Sequence, residues 1–212
     1  MGPSVFKIKE VCGMKVLALD QGTLISGFAY FNGTNLVKHG VITANKSDEY
    51  WIRLQYMRNK IERLIKTHKP DYVVIEGITM QRDQQTTIKL GQLQGVIMGA
   101  AFSNNIPVDI LLPTHWRKLN GFKQGGGVKR AELKQQAFDM VQDCYHLNPV
   151  PTEDEAEAIA IGIAWLRERE YLPPLDAEIV EEKKKRKEKE IEDHVRKCCQ
   201  RTKEQASYQI EE

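Results

Sequence analysis

Little in this chain points to an oxidising or lipid environment. It has four cysteines, two of them adjacent (Cys198 and Cys199), with no Cys-x-x-Cys pair and no Cys/His ligand spacing. That argues against a zinc site or a disulfide framework and fits a reduced, intracellular compartment. No apolar run reaches the roughly 18 residues of a membrane span, so no membrane partner is expected. Residues Met1 to Gly13 mix Lys7, Lys9 and Glu10 with scattered apolar groups, without the apolar core of a secretory signal. An excess of one charge is missing too. Lys and Arg number 31 against 29 Asp and Glu, a net of +2, so partners must be read from local clusters rather than from the total. With 41% hydrophobic and 28% charged residues, the composition is that of a globular protein and not of a disordered one.

Three segments are expected. Met14 stands directly before the first strand, so residues 1–13 read as an extension or cloning remnant. Residues 14–172 form the globular domain. Pro173 and Pro174 stop the last helix, and residues 173–212 are a mixed-charge tail, helical or disordered, whose apolar positions do not sustain a heptad. Within the domain, Lys15–Asp20 is a short apolar run ending in an acid, as is Asp71–Glu76, and both read as buried strands. Ser26–Phe31 and Leu36–Ile42 flank the Asn32-Gly33 hairpin signal. Pro107–Leu112 is a fifth strand. Helical spacing covers Ser47–Thr67, with Ser47 as the candidate N-cap, and also 83–102, 129–144 and 152–169. Residues 118–128 read as a basic, glycine-rich loop. Three strands in hairpin succession followed by alternating helices and strands predict an α/β fold, a mixed five-stranded sheet flanked by helices.

The chemistry lies in acids at element ends. Asp20 and Glu76 each close an apolar run, and if their strands are neighbours both carboxylates stand at one edge of the sheet. Asp154 and Glu157, at i and i+3 near the start of the last helix, share a face. The bland alternatives are a turn cap for Asp20 and helix-dipole decoration for the acids at 153–157. Glu76 resists such a reading, because a glutamate after Val73-Val74-Ile75 is costly to bury without a partner. Carboxylates sharing one pocket repel, and a divalent cation relieves that repulsion. Hard oxygen ligands favour Mg²⁺, with Mn²⁺ as a substitute, and two bridged ions suit in-line displacement at phosphorus.

The segments LALDQGTLISGFAY, VVIEGITMQRDQQTTIKLGQLQGVIMGAA and EDEAEAIAIGIA resemble the RuvC family of Holliday-junction resolvases, most of all its phage-encoded members. The likeness runs in order from about Met14 to Arg169. It implies an RNase H-like fold, a homodimer, and Mg²⁺-dependent cleavage of branched DNA in the cytoplasm, that of a bacterial host if the protein is phage-encoded. It puts the four catalytic, metal-binding acids on Asp20, Glu76, Asp154 and Glu157. Asp20 would bridge, with Glu76 on one ion and with Asp154 and Glu157 on the other. Two positions depart from the pattern. The last acid is Glu157 where bacterial enzymes usually carry Asp, and the junction-stacking aromatic falls near Thr79, leaving Met80 as its replacement, with Arg82 as a nearby DNA contact.

Basic residues complete this reading. Arg117, Lys118, Lys123, Lys129 and Arg130 supply candidate phosphate contacts. The resemblance assigns one or two of them to the scissile phosphate: Lys118, and either Lys129 or Arg130, between which spacing does not choose. His115 and Trp116 read as structural. The small-residue helix around Thr86–Ala101 is the expected dimer element. Three competitors share parts of the pattern. An actin-like or sugar-kinase phosphate turn is suggested by Asp20-Gln-Gly-Thr23, although the chain is short for such a protein. Another RNase H-like nuclease could act on flaps, forks or RNA–DNA hybrids. A non-catalytic junction binder would gain nothing from acids placed near phosphates.

Overall fold

The computed structural model describes residues 13–80 and 83–172. The expectations for residues 1–12, for Arg82 and for the tail at 173–212 lie outside the described residues. Five strands form one mixed sheet in the order β3-β2-β1-β4-β5. They are β1 (Lys15–Asp20), β2 (Ile25–Asn32), β3 (Asn35–Thr43), β4 (Tyr72–Glu76) and β5 (Val108–Leu111). The first three form an antiparallel meander, and β1, β4 and β5 run parallel. Each parallel step needs a helical crossover. Helix α1 (Tyr50–His68) links β3 to β4, and α2 (Gln84–Phe102) links β4 to β5. After β5 come α3 (Pro113–Leu119), α4 (Arg130–Tyr145) and α5 (Glu153–Glu168).

The alternation of side chains along the strands divides the core into two layers. Leu17, Leu19, Val73 and Ile75 join Met57, Ile61 and Ile65 of α1 and Leu93 and Ile97 of α2. Val16, Ala18 and Val74 join α4 and α5 on the other face. Asp20 and Glu76 have the parity of Ala18 and Val74, so both acids point toward α5. The pairing of Leu17 with Val73 and of Leu19 with Ile75 sets the two strand ends side by side.

Two helix assignments need correction. Helix α1 begins at Tyr50 after Glu49, without a side-chain cap. Ser47 does not cap it, because its N–H and hydroxyl both donate to the Asn45 side chain. Lys118 lies at the end of α3 rather than in a loop, since Pro113 stands in the first helical turn, where its fixed φ suits it, and the helix runs to Leu119. Helix α5, by contrast, starts at a full capping box. The Thr152 hydroxyl accepts from the Glu155 N–H, and the Glu155 carboxylate accepts from the Thr152 N–H.

Candidate active site

The N-terminal turn of α5 rests against β2, and one glycine permits it. A Cβ on Gly27 would overlap the backbone carbonyl oxygen of Asp154. Gly27 is also the direct cross-strand partner of Asp20. The missing side chain therefore brings the helix that carries Asp154 and Glu157 down beside the strand that carries Asp20. Further along α5, the Phe31 ring of β2 crosses the place a Cβ on Gly162 would take. A glycine inside an apolar strand is the sequence signal for such an approach, and Ser26-Gly-Phe carries it, although sequence reasoning had singled out only the acids.

Asp20, Asp154 and Glu157 each offer a carboxylate oxygen within 4.8 Å of the others. Oxygens that share one hard cation at 2.0–2.6 Å stand no more than about 4–5 Å apart, so the set fits a single divalent ion. Glu76 lies outside this triplet but inside its field. Burial first, then the charges of Glu157, Glu76 and Asp154, push the Asp20 carboxyl well above the usual carboxylate range, with Lys134 acting in the opposite sense. Burial, followed by Glu76, raises Glu157. Glu76 is raised by burial and eased by the Trp116 N–H and by Arg117 and Arg130. Three raised acids, at the ends of β1 and β4 and on the first turns of α5, are a site that lacks positive charge, as a divalent cation would supply.

The protein provides part of that charge itself. Trp116, fully buried, donates from its indole N–H to Glu76 Oε1 at 2.9 Å. Its ring fills the core, in keeping with the structural reading of Trp116, while its polar edge orients the Glu76 carboxylate. Arg117 lies 3.7 Å from Glu76 and 3.9 Å from Glu157, and its guanidinium stacks on the Trp116 ring. It faces the acids rather than open solvent. Lys134 of α4 was not singled out by sequence reasoning. It binds Glu153 at 2.6 Å, and the charges of Glu157 and Asp154 help hold its ammonium above the usual lysine range. Its spacing from Arg130, one helical turn, was the only available signal.

The remaining basic residues separate. Arg130 acts electrostatically on both Glu76 and Glu157, whereas Lys129 takes the position just before α4, outside its first turn. Lys118, Lys123 and Lys129 are exposed. Met80, 94% exposed at the end of the β4 loop, is an apolar side chain standing free in solvent. The Asp20-Gln-Gly-Thr23 turn is already committed internally. Gln21 donates to the Glu76 carbonyl, and the Gly22 N–H donates to Ser26 Oγ. That leaves the Gly22 amide unavailable to an ATP phosphate.

Comparison with known proteins identifies the family. The family model described as crossover junction endodeoxyribonuclease RuvC matches residues 16–165. This chain belongs to the RuvC family. A crossover junction endodeoxyribonuclease RuvC from Dictyoglomus turgidum is 30% identical over 162 residues, which is 74% of this chain and 99% of that protein. One from Saccharophagus degradans is 32% identical over 155 residues, 71% and 86% of the two chains. The structure of T. thermophilus RuvC in complex with Holliday junction substrate superposes with a TM-score of 0.62 at 18% identity, over 76% of this chain and 99% of that one. The RNase H-like fold expected from the sequence is the observed fold. The family match, and not the first strand motif, decides against the sugar-kinase reading.

Proposed function

We propose that this RuvC-family protein resolves four-way (Holliday) and related branched DNA junctions by hydrolysing one phosphodiester in each of two opposed strands, leaving 5′-phosphate and 3′-hydroxyl ends. The observation that carries this reading is the convergence of Asp20, Asp154 and Glu157 within 4.8 Å beside a raised Glu76. Asp20, Asp154 and Glu157 hold a divalent cation, Mg²⁺ by preference with Mn²⁺ as a substitute, and Glu76 with Asp20 offers a second position. When bound, such ions supply a water of lowered pKa and neutralise charge at the phosphorus and the leaving oxygen.

The chain's own residues set the stage for that chemistry. Trp116 fixes the Glu76 carboxylate in direction, and Arg117 limits the repulsion between Glu76 and Glu157. Arg130 and Lys118 face the scissile phosphate and offset its developing charge, while Lys123 and Lys129 hold flanking phosphates and position the duplex. Met80 enters the opened junction in place of an aromatic. A homodimer places two sites on the two strands. Its interface is α2, whose Gly91, Gly95 and Gly99 form an exposed stripe with open space above each, while Leu93 and Ile97 anchor the other side of the helix in the core. No described helix is long and apolar enough to cross a membrane. The proposed place of action is the cytoplasm, where the DNA substrate is found.

The test is cleavage of a synthetic four-way junction beside a matched linear duplex, a flap and an RNA–DNA hybrid. Each runs with Mg²⁺, with EDTA, and with Asp20→Asn. Paired, metal-dependent nicks confined to the junction are expected. Preferential cutting of flaps or hybrids would move the protein to another nuclease branch of the same fold.

A further inference from the structure

Across the sheet from the acids, α1 and the edge strand β3 enclose a cavity of about 350 Å³. Its apolar floor includes Phe28 and Ile42, both buried. Tyr56, Lys60 and Arg63 reach it from one face of α1, at i, i+4 and i+7. Lys38 reaches it from β3, where it pairs with Tyr30 and so shares the face of that ring. Lys60 lies 5.2 Å above the Tyr56 ring.

Three full cations thus converge on one concavity, and no carboxylate lines it. Among the described residues, Lys38, Lys60 and Arg63 form no ion pair. Other cations do: Lys66 with Glu62, Lys134 with Glu153, and Arg169 with Asp109. Like charges brought together without a counter-charge are unfavourable unless an anion enters. The effect reaches His68 in the same wall, whose pKa is lowered by burial and by Lys38. An aromatic face beside unpaired cations is the composition that holds a phosphate with its base stacked alongside.

We infer that this cavity is a second phosphate site, taking a backbone phosphate of the DNA substrate away from the position that is cut. The inference rests on the reading of the protein as a DNA-cleaving enzyme. The strand register links the two sites. Val41, at the rim, pairs with Gly27, and Gly27 pairs with Asp20. The near end of the cavity is therefore two strand spacings from Asp20, roughly 10 Å along the sheet. The acids face α5 and the cavity faces α1, so a DNA strand reaches both only by passing around the β3 edge of the sheet.

The experiment compares the full-length protein with Lys60→Gln and with Lys38→Gln/Lys60→Gln/Arg63→Gln. Affinity for a fluorescent four-way junction is measured in EDTA across a salt series, and cleavage in Mg²⁺ at saturating DNA. Removing one cation that neutralises a phosphate should lower the salt slope by roughly 0.9. The triple variant should therefore bind with a slope smaller by about 1–3 and a weaker affinity at moderate salt, with cleavage at saturation unchanged and the melting midpoint retained. A wild-type slope in the triple variant overturns the site while leaving the proposed activity standing. A wild-type protein that neither binds nor cuts the junction overturns both. Inorganic phosphate or a mononucleotide shifting the Tyr56 and His68 resonances, with the junction slope untouched, would make the cavity a small-anion site and refute the DNA assignment.

Discussion

The two halves of the proposed active site are built in opposite ways. The acids stand on packed secondary structure: the ends of two parallel central strands and the capped start of α5. They are partly buried, and their mutual repulsion is retained. Most of the cations stand on α3, α4 and the connection between them, exposed and around three consecutive glycines, with Gly125 and Gly127 at positive φ. Arg117 and Lys134 are exceptions: Arg117 lies beside Glu76 and Glu157, and Lys134 pairs with Glu153 at the start of α5. The difference teaches which function needs precision. Holding a metal requires fixed oxygens, and only a packed scaffold keeps unfavourable charges together. Gripping phosphates tolerates, and benefits from, side chains that adapt to the duplex.

Breaking the rigid half should have the largest effect. Asp20→Asn is expected to reduce junction cleavage by at least about 10³-fold, since it removes a ligand shared by the whole site. It should also raise the melting midpoint in EDTA, because the buried, repelled carboxylate is gone. A lower midpoint would contradict the account of Asp20 as a destabilising charge. Gly27→Ala should come next. Its Cβ forces the first turn of α5 off β2, with a stability loss of about 2–4 kcal/mol by denaturant melting and a cleavage loss of about 10²-fold. Cleavage at the wild-type rate would show that the close approach does not position Asp154 and Glu157.

Trp116→Phe keeps an aromatic ring in the core but removes the N–H to Glu76 together with part of the buried indole. About 1–3 kcal/mol of stability should go with it, and the metal concentration for half-maximal cleavage should rise. An unchanged metal requirement would mean that Glu76 needs no orienting donor. The pH dependence sharpens the same half. Asp20, Glu76 and Glu157 have raised folded-state pKa values, so the folded chain holds more protons than the unfolded one between the ordinary carboxylate range and those raised values. These three acids make metal-free stability fall as pH rises through that window, against the opposite and single contribution of the lowered His68, and saturating Mg²⁺ should flatten the fall due to the acids. Melting curves with and without the ion read it directly, and a stability that rises with pH there would reverse the assignment. The adaptable half should respond least. Lys118→Ala is expected to weaken junction binding uniformly and to reduce the salt slope by about one. A full wild-type slope would place Lys118 away from any phosphate.

Strand and helix patterns were legible because they follow from local chemistry. Apolar runs, the Asn32-Gly33 turn and the acids closing Lys15–Asp20 and Tyr72–Glu76 are visible in a single line of residues, and the element order alone implied the mixed sheet. Where a helix begins was less legible. Ser47 was the better cap by type, yet its hydroxyl found the nearer Asn45 acceptor, while the helix opened by Pro113 runs through Lys118, where a loop was expected. The spacing left Lys129 and Arg130 equivalent, and α4 separates them by pointing the field of Arg130 at Glu76 and Glu157.

The amino-acid sequence by itself determined which residues carry charge at which element ends, because strand parity and helical spacing are properties of the chain. Only the tertiary structure decided which of those charges meet. Gly27 admits α5 to within van der Waals contact of β2, Trp116 turns its one polar atom toward Glu76, and Lys38, Lys60 and Arg63 gather across a strand and a helix far apart in the chain. Coulomb interactions and excluded volume depend on distances through space, and those distances exist only once the chain has folded.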